Sequence, residues 1–193
     1  MKLNKKMFDL GTTILASKEK NPNAIAIAGL DYKYTYYEWF KKIDTLSGSL
    51  KYLGLKKQEK VITLLQNNFE ASTIHWACQL NNLIVVPLNW RMKPEEIDFC
   101  ISNSEASCIF FQEESMDGVE LSLEAKKIKQ VFVGGNNNKI LNISELIKNG
   151  NPGNHPEGKS DSYSIILYTS GTTGKPKGVP RTHLAERSAA LAH

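Results

Sequence analysis

The chain has 193 residues, of which 41% are hydrophobic and 23% are charged, and its formal net charge is +4. This composition excludes a collagen-like or wholly disordered protein, because the apolar residues can supply a core and the 13 glycines show no period. A chain of this length buries about 70% of the surface that its unfolded form exposes, so it needs no disulfide or metal to fold.

Predicted strands and helices alternate along most of the chain. Several predicted strands are continuous apolar runs, which is typical of strands that are covered on both faces of a parallel sheet. The sequence therefore predicts an α/β fold with a mostly parallel sheet flanked by helices. The predicted helices are residues 8–20, 36–53, 69–81, 94–103, 121–129, 144–148 and 182–193, and the predicted strands are residues 24–28, 32–35, 61–65, 83–86, 107–111, 131–134 and 164–168.

The second predicted helix has signals at both ends. Thr35 and Glu38 have the spacing of a capping box, in which each side chain accepts a hydrogen bond from the backbone of the other. Apolar residues from Trp39 to Leu53 recur every three or four positions and form one stripe. Gly54 is suited to the left-handed conformation that ends many helices.

One segment rich in turn-forming residues divides the chain. Residues 149–160 contain several Asn, Gly and Pro residues and predict a linker or a long loop. We therefore expect an α/β subdomain over residues 1–148, a linker or loop over 149–163, and a strand, loop and helix over 164–193.

Charge and cysteine content indicate no nucleic-acid partner and no disulfide framework. The lysines form only short groups, without the basic run of five to eight residues that indicates nucleic-acid binding. Cys78, Cys100 and Cys108 are odd in number and form no CxxC pair, so we expect buried small hydrophobes in a reducing compartment. No apolar run is long enough to cross a membrane or to act as a signal peptide, so we expect a cytoplasmic protein.

The clearest chemical signal is a loop that follows an apolar strand and precedes a helix. Its glycines let the backbone approach an anion, its hydroxyls and backbone N–H groups can donate hydrogen bonds, and its lysines add positive charge. These features predict a polyphosphate-binding loop. The loop consists of Thr169, Ser170, Gly171, Thr172, Thr173, Gly174, Lys175, Pro176, Lys177 and Gly178.

Two other interpretations of this loop are weaker. A Walker A loop, and with it a P-loop phosphotransferase, needs four residues between its glycines and a Ser or Thr after its lysine. Here Gly171 and Gly174 enclose two residues, and Lys175 is followed by Pro176. A flexible loop without a ligand rarely combines its position after a strand with four hydroxyls and a Lys-Pro-Lys-Gly end.

The segment from Tyr168 to Val179 resembles the signature loop of the adenylate-forming superfamily, which includes acyl-CoA synthetases. The resemblance extends upstream through most of the chain. It is carried by residues 34–39, 61–67, 86–97 and 182–183, which resemble the family's "TY-x-E-L", "V-x-x-L-L-x-N", "V-P-L-N-x-R-x-x-P-E-E-L" and Thr-His motifs.

The resemblance implies a ligase that uses ATP, Mg²⁺ and coenzyme A. A carboxylic acid would react with ATP to form an acyl-adenylate, and a thiol would then displace AMP. It also implies that the loop residues bind the β- and γ-phosphates and that His183 lies near the acyl substrate. The phosphate-binding residues would be Thr169, Ser170, Gly171, Thr172, Thr173, Gly174, Lys175 and Lys177.

The chain departs from the family pattern at three points. Asn81 and Asn82 stand where a glycine is usual, and Lys93 stands where a capping Thr or Ser is common. The family's adenine-binding, ribose-binding and hinge motifs and its catalytic lysine are absent from the 193 residues. We therefore expect the first part of the family's large domain, which alone lacks full activity.

Alternative functions follow from the same residues. The chain could be a non-catalytic nucleotide- or phosphate-binding remnant, or a truncated product that associates through exposed apolar surface. His75, on a predicted helix, is more often a structural residue than a ligand. The aromatic cluster from Tyr32 to Trp39 is better explained by a hairpin packed on a helix than by nucleic-acid stacking. Glu95 and Glu96 are better explained by a favourable position in the helix dipole than by a role as paired catalytic carboxylates.

Overall fold

A computed structural model of the chain describes residues 9–135, 139–152, 156–169 and 176–192. The helices are α1 (Leu10–Lys20), α2 (Tyr36–Tyr52), α3 (Phe69–Leu80), α4 (Pro94–Ser104), α5 (Met116–Leu121), α6 (Ile143–Asn149) and α7 (His183–Leu191), with short 3₁₀ turns at Glu113–Ser115 and Ala125–Lys127. The strands are β1 (Ile25–Ala28), β2 (Lys33–Thr35), β3 (Lys60–Leu64), β4 (Ile84–Pro87), β5 (Ala106–Phe111), β6 (Lys129–Phe132), β7 (Tyr163–Thr169) and β8 (Lys177–Thr182).

The described residues form a central sheet with the strand order β6-β5-β3-β4-β7-β8. All neighbouring pairs are parallel except β7 and β8, which are antiparallel. Strands β1 and β2 form the separate hairpin that the sequence predicts. The predicted α/β class with a mostly parallel sheet is therefore confirmed.

Both faces of the sheet are buried, because consecutive residues of the central strands pack into different cores. Val61 and Phe110 belong to the core that faces α1, α2, α3 and α6, whereas Ile62 and Ile109 belong to the core that faces α4 and α5. All four side chains are fully buried. This double burial is the physical reason why β3 and β5 appear as continuous apolar runs in the sequence.

The signals at both ends of α2 are confirmed. Thr35 Oγ1 accepts a hydrogen bond from the Glu38 N–H at 3.2 Å, and Glu38 Oε2 accepts one from the Thr35 N–H at 2.9 Å. Gly54 has a φ of +80°, so it takes the left-handed conformation expected there. Trp39 on the buried stripe donates from Nε1 to Thr73 Oγ1 of α3 at 2.9 Å.

The predicted helix over residues 121–129 is wrong. Helix α5 ends at Leu121, a single 3₁₀ turn follows, and β6 already begins at Lys129. The cause is a contact from α4: Asp98 Oδ1 accepts hydrogen bonds from the Ser122 hydroxyl and the Glu124 N–H. Ser122 is thereby held in an extended conformation, with a ψ of 130°, at the start of the predicted helix.

Strand β8 was not predicted, because the sequence indicates only a loop before the last helix. Gly178 and Pro180 both disfavour strands. Pro180 is tolerated because β8 is the edge strand of the described sheet, where a missing N–H leaves no inner partner unbonded. The start of α1 also differs: the helix begins at Leu10 after the cap Asp9, and Phe8 lies outside the described residues.

Asn81 and Asn82 have clear local roles. Asn82 has a φ of +53°, a conformation that favours glycine but that Asn adopts more readily than most residues. The Asn81 amide binds Ser47 of α2 twice, accepting from its hydroxyl at 2.9 Å and donating to its carbonyl at 2.8 Å. The Asn81 side chain therefore ties the end of α3 to α2, whereas the Asn82 side chain accepts a hydrogen bond from Gln58 Nε2 at 2.8 Å.

The three cysteines are free and buried, as expected for small hydrophobes. Burial raises the pKa of Cys78 and of Cys108, the latter to about 12, so both thiols stay protonated at neutral pH. Among the described residues, no helix is long and apolar enough to cross a membrane.

Candidate phosphate-binding site

The two ends of the predicted phosphate loop lie directly opposite each other. Thr169 is the last residue of β7, Lys177 is the first residue of β8, and the two are paired in the antiparallel register. Both are exposed. The predicted site residues Ser170, Gly171, Thr172, Thr173, Gly174 and Lys175 lie outside the described residues.

The loop leaves the sheet at the carboxyl edge of the parallel strands. Strand β7 runs parallel to β4, with Val85 opposite Ile165. Thr169 therefore lies at the same edge as the segments after β3 and β4, residues 65–68 and 88–93. Ligands of open α/β sheets bind at this edge, where loops can vary without disturbing the core.

The base of the hairpin is fixed by a tyrosine and a glycine. Tyr168 Oη donates a hydrogen bond to Asn103 Oδ1 near the end of α4, at 2.7 Å. Burial raises the pKa of Tyr168, so its hydroxyl remains a donor at neutral pH. Gly178 is opposite Tyr168, and a Cβ there would lie 3.1 Å from Ile166 Cγ2 and 3.2 Å from Tyr168 Cζ. The close approach of the Tyr168 ring thus requires a small residue at position 178.

His183 lies at the other end of β8. Thr182 pairs with Tyr163 at the amino edge of the sheet and caps α7 by accepting from the Ala185 N–H at 3.2 Å. Five residue steps of about 3.4 Å separate Lys177 from Thr182, which is about 17 Å along the strand. His183, the first residue of α7, is therefore remote from the ends of the phosphate loop.

The His183 side chain is fully buried against α1. Its Nδ1 accepts a hydrogen bond from the Leu10 N–H at 3.1 Å, so the neutral ring carries its proton on Nε2. Within the described residues, Nε2 has no hydrogen-bond partner. A Cβ on Gly158 would lie 3.1 Å from Nε2 and 2.8 Å from Asp9 Cβ, so the segment after residue 155 passes directly over this ring.

Burial keeps His183 and the nearby His75 uncharged at neutral pH. Burial lowers the pKa of His183, although the Asp9 carboxylate opposes the shift. Burial also lowers the pKa of the half-buried His75 to about 4, and the nearby His183 adds to the effect. We call the cluster of Asp9, His75, Gly158 and His183 the amino-edge clasp. The predicted proximity of His183 to the acyl substrate stays a prediction.

Three further contacts hold the segment that crosses the clasp. The Glu157 carboxylate binds Lys51 Nζ at 2.7 Å and Lys57 Nζ at 3.0 Å, and these two ammonium groups contribute to a lowered pKa at Glu157. The Leu184 N–H donates to the Ser160 carbonyl at 2.9 Å. The sequence alone indicates no role for Asp9, Glu157 or Gly158, because only the chain topology brings Asp9 and Gly158 beside His183 and Glu157 beside its lysine partners.

No metal centre is formed by the protein's own described residues. Among them, no group of three or more His, Cys, Asp or Glu side chains is arranged to hold an ion. The described ends of the loop supply a hydroxyl and an ammonium group, which suit phosphate oxygens rather than a metal. These residues therefore fit a polyphosphate, and any magnesium would be held chiefly by the phosphates themselves.

Fold and site together define an α/β protein with a mostly parallel sheet, in which the hairpin of β7 and β8 opens at the carboxyl edge of the parallel strands. The family model of AMP-binding enzymes matches residues 15–193, nearly the whole chain. The chain belongs to this family.

Curated relatives are acyl-CoA ligases. The chain is 30% identical to 2-succinylbenzoate–CoA ligase of Bacillus licheniformis, and the match covers 85% of the chain and 32% of the relative. It is 28% identical to the putative acyl–CoA ligase YdaB of Bacillus subtilis, over 92% of the chain and 36% of that protein. The chain thus spans about a third of the length of these relatives.

Solved structures agree on the fold. The anthranilate CoA ligase AuaEII in complex with anthranoyl-AMP matches 94% of the chain and 36% of that protein, with a TM-score of 0.86 and 22% identity. A benzoate CoA ligase from Burkholderia xenovorans LB400 matches 97% of the chain and 37% of that protein, with a TM-score of 0.85 and 16% identity. The shared fold covers the described sheet with its flanking helices.

Proposed function

We propose that the chain binds the triphosphate of ATP between Thr169 and Lys177 and supplies the phosphate-binding part of an acid–thiol ligase. One observation carries the proposal: the β7–β8 pairing sets the two ends of the family's signature loop side by side at the carboxyl edge. The family match over residues 15–193 and the names of the relatives support this assignment.

The proposed reaction has two steps. A carboxylate oxygen of the substrate attacks the α-phosphorus of ATP, the bond from this phosphorus to the bridging oxygen breaks, and pyrophosphate leaves. The sulfur of a thiol, coenzyme A in the named relatives, then attacks the acyl carbon. AMP leaves with the bonding electrons, and the thiol loses its proton.

The loop's role in the first step is electrostatic. Negative charge accumulates on the leaving pyrophosphate, and fixed donors at that position stabilise the transition state. Thr169 would donate from its hydroxyl and Lys177 from its ammonium group. Ser170, Thr172, Thr173 and Lys175 would add donors, while Gly171 and Gly174 let the backbone approach the phosphates. Mg²⁺, bound with ATP, would neutralise part of the charge.

We further propose that these 193 residues bind ATP without completing the reaction. The motifs that contact adenine and ribose in the family, and its catalytic lysine, are not among them. The phosphates would therefore supply most of the affinity. The acid substrate is a carboxylic acid of the kind that CoA ligases activate.

A ligand series tests this proposal. Calorimetry on the 193-residue chain should give similar affinities for Mg-ATP and Mg-tripolyphosphate, and affinity for AMP at least about tenfold weaker, a difference of about 1.4 kcal/mol. Binding of AMP as tight as that of ATP would contradict the phosphate-based assignment. Exchange of labelled pyrophosphate into ATP, assayed with aromatic and aliphatic acids, should stay at background; robust exchange would overturn the expected inactivity of the isolated chain.

A further inference from the structure

A cavity beside the helices α2, α3 and α6 has the features of a second ligand site. It lies between the first half of α2, the start of α3, the segment after β6, and α6. Its volume is about 750 Å³. Small-molecule sites typically measure about 300–1,000 Å³, so the cavity is large enough for a small organic ligand.

The floor of the cavity is apolar and already assembled. The rings of Tyr34 and Phe69 meet with their centroids 5.2 Å apart, and Ile143 and Ile147 of α6 line the opposite side. Ile143 belongs to the buried core, and Ile147 packs against it. Tyr37 contributes a further ring that is 57% exposed. A hydrocarbon chain or a flat ring placed here would bury apolar surface on both sides.

The rim of the cavity carries more positive than negative charge. Lys41 and Lys148 are exposed at its edge, and Lys42 Nζ lies 5.0 Å from the centroid of the Tyr34 ring. Two carboxylates face the same space, Glu38 and Glu70. Glu38 Oε2 already accepts hydrogen bonds from both the N–H and the hydroxyl of Thr35, which are also the main causes of its lowered pKa.

This cavity is separate from the proposed phosphate site. Gly134, which lines it, follows β6, whereas the phosphate loop follows β7. In the sheet, β3, which precedes Phe69 of the lining, is two strand spacings from β7, and β6, which precedes Gly134, is four; at about 4.8 Å each these are about 10 Å and about 19 Å. A ligand in the cavity would therefore bind apart from the triphosphate.

We propose that this cavity binds an amphipathic anion, a hydrocarbon chain or aromatic ring with one anionic head group. The apolar part lies on Tyr34, Phe69 and Ile147, and the head group lies among the ammonium groups of Lys41, Lys42 and Lys148. The charge of the rim selects an anion over a cation of the same size.

Two amphiphiles with the same chain and opposite head groups test the proposal. Dodecanoate and dodecyltrimethylammonium are titrated below their micellar concentrations into the 193-residue chain and followed by calorimetry. Dodecanoate should bind saturably and at least about tenfold more tightly than the cation. Either no saturable binding of dodecanoate or equal affinity for both amphiphiles would overturn the proposal. This test uses only the wild-type chain.

Charge-reversed variants locate the site. The double change Lys41→Glu and Lys148→Glu should weaken dodecanoate binding by at least about tenfold. The matched control, Lys20→Glu with Lys126→Glu, changes net charge equally at two exposed lysines elsewhere and should alter affinity by less than about twofold. Equal weakening of dodecanoate binding in the two double variants would show that the anion does not bind at Lys41 and Lys148, and would overturn the proposed site. Lys177→Ala should leave dodecanoate binding unchanged, so this proposal and the phosphate site fail or succeed independently.

Discussion

The two ends of the β7–β8 hairpin differ in what surrounds them. At the carboxyl edge, Thr169 and Lys177 are exposed and border the signature loop. At the amino edge, His183 is fully buried among α1, α3 and the segment that contains Gly158. The same hairpin therefore combines an exposed edge, where we propose phosphate binding, with a buried anchor. Changes at the anchor should therefore alter stability, whereas changes at the exposed edge should alter ligand binding.

The largest effect is expected from removal of the anchoring ring. His183→Ala leaves the Leu10 N–H without its acceptor and opens a space in the amino-edge clasp, so the free energy of unfolding should fall by about 2–4 kcal/mol. Urea denaturation measures this. Leu184→Ala is the matched control, since the neighbouring side chain is 41% exposed, and it should cost less than about 1 kcal/mol. Equal losses of unfolding free energy in the two variants would contradict a stabilising role for the buried His183 ring.

Acidification should destabilise the folded chain. His75 has a folded-state pKa of about 4 against an ordinary value of 6.5, so between these values the unfolded chain binds more protons than the folded chain. This stabilising contribution should therefore be nearly complete above pH 6.5 and should fall on acidification, by about 1.5 kcal/mol between pH 6.5 and pH 5.

The pKa of His183 is lowered as well, so this residue adds to the pH dependence of stability. Denaturant titrations at several pH values test it, with His75→Gln as the comparison. The variant should show a flatter dependence above pH 5, where the carboxylates contribute little. Identical slopes in wild type and variant would mean that His75 is not held neutral by the fold.

A smaller effect is expected at Gly158. In Gly158→Ala, the new Cβ would lie 2.8 Å from Asp9 Cβ and 3.1 Å from His183 Nε2, so the segment must shift away from the clasp. We expect a loss of about 1–2 kcal/mol in thermal or urea unfolding. Gly135→Ala serves as the control because no atom of the described residues lies within 4 Å of a Cβ at that position. A neutral Gly158→Ala would show that the clasp is loosely packed.

Periodic elements could be predicted from the sequence, because their cause is local. The stripe on α2, its capping box and the apolar runs of β3 and β5 all correspond to observed elements. The failures have non-local causes: Asp98 of α4 ends the predicted helix at Ser122, and β8 depends on β7 as a partner.

The candidate site also has features with local causes and features with non-local causes. The loop from Thr169 to Gly178 is recognisable from composition alone. The surroundings of His183 cannot be recognised in this way. His183 is only six residues after Lys177 in sequence, and the two residues are far apart in space because the residues between them form strand β8. Contacts such as Leu10 N–H to His183 Nδ1 join residues 173 positions apart and leave no local pattern.

Mg-ATP calorimetry on three proteins, wild type, Lys177→Ala and Lys126→Ala, tests whether Lys177 binds phosphate. Lys177 is at the proposed phosphate site, and Lys126 is an exposed lysine of a 3₁₀ turn on another part of the molecule. We predict saturable binding by wild type and Lys126→Ala, and binding weakened by at least about tenfold in Lys177→Ala with unchanged unfolding free energy. Absence of ATP binding in the wild-type chain, or equal affinity in all three proteins, would contradict a phosphate-binding loop at the carboxyl edge.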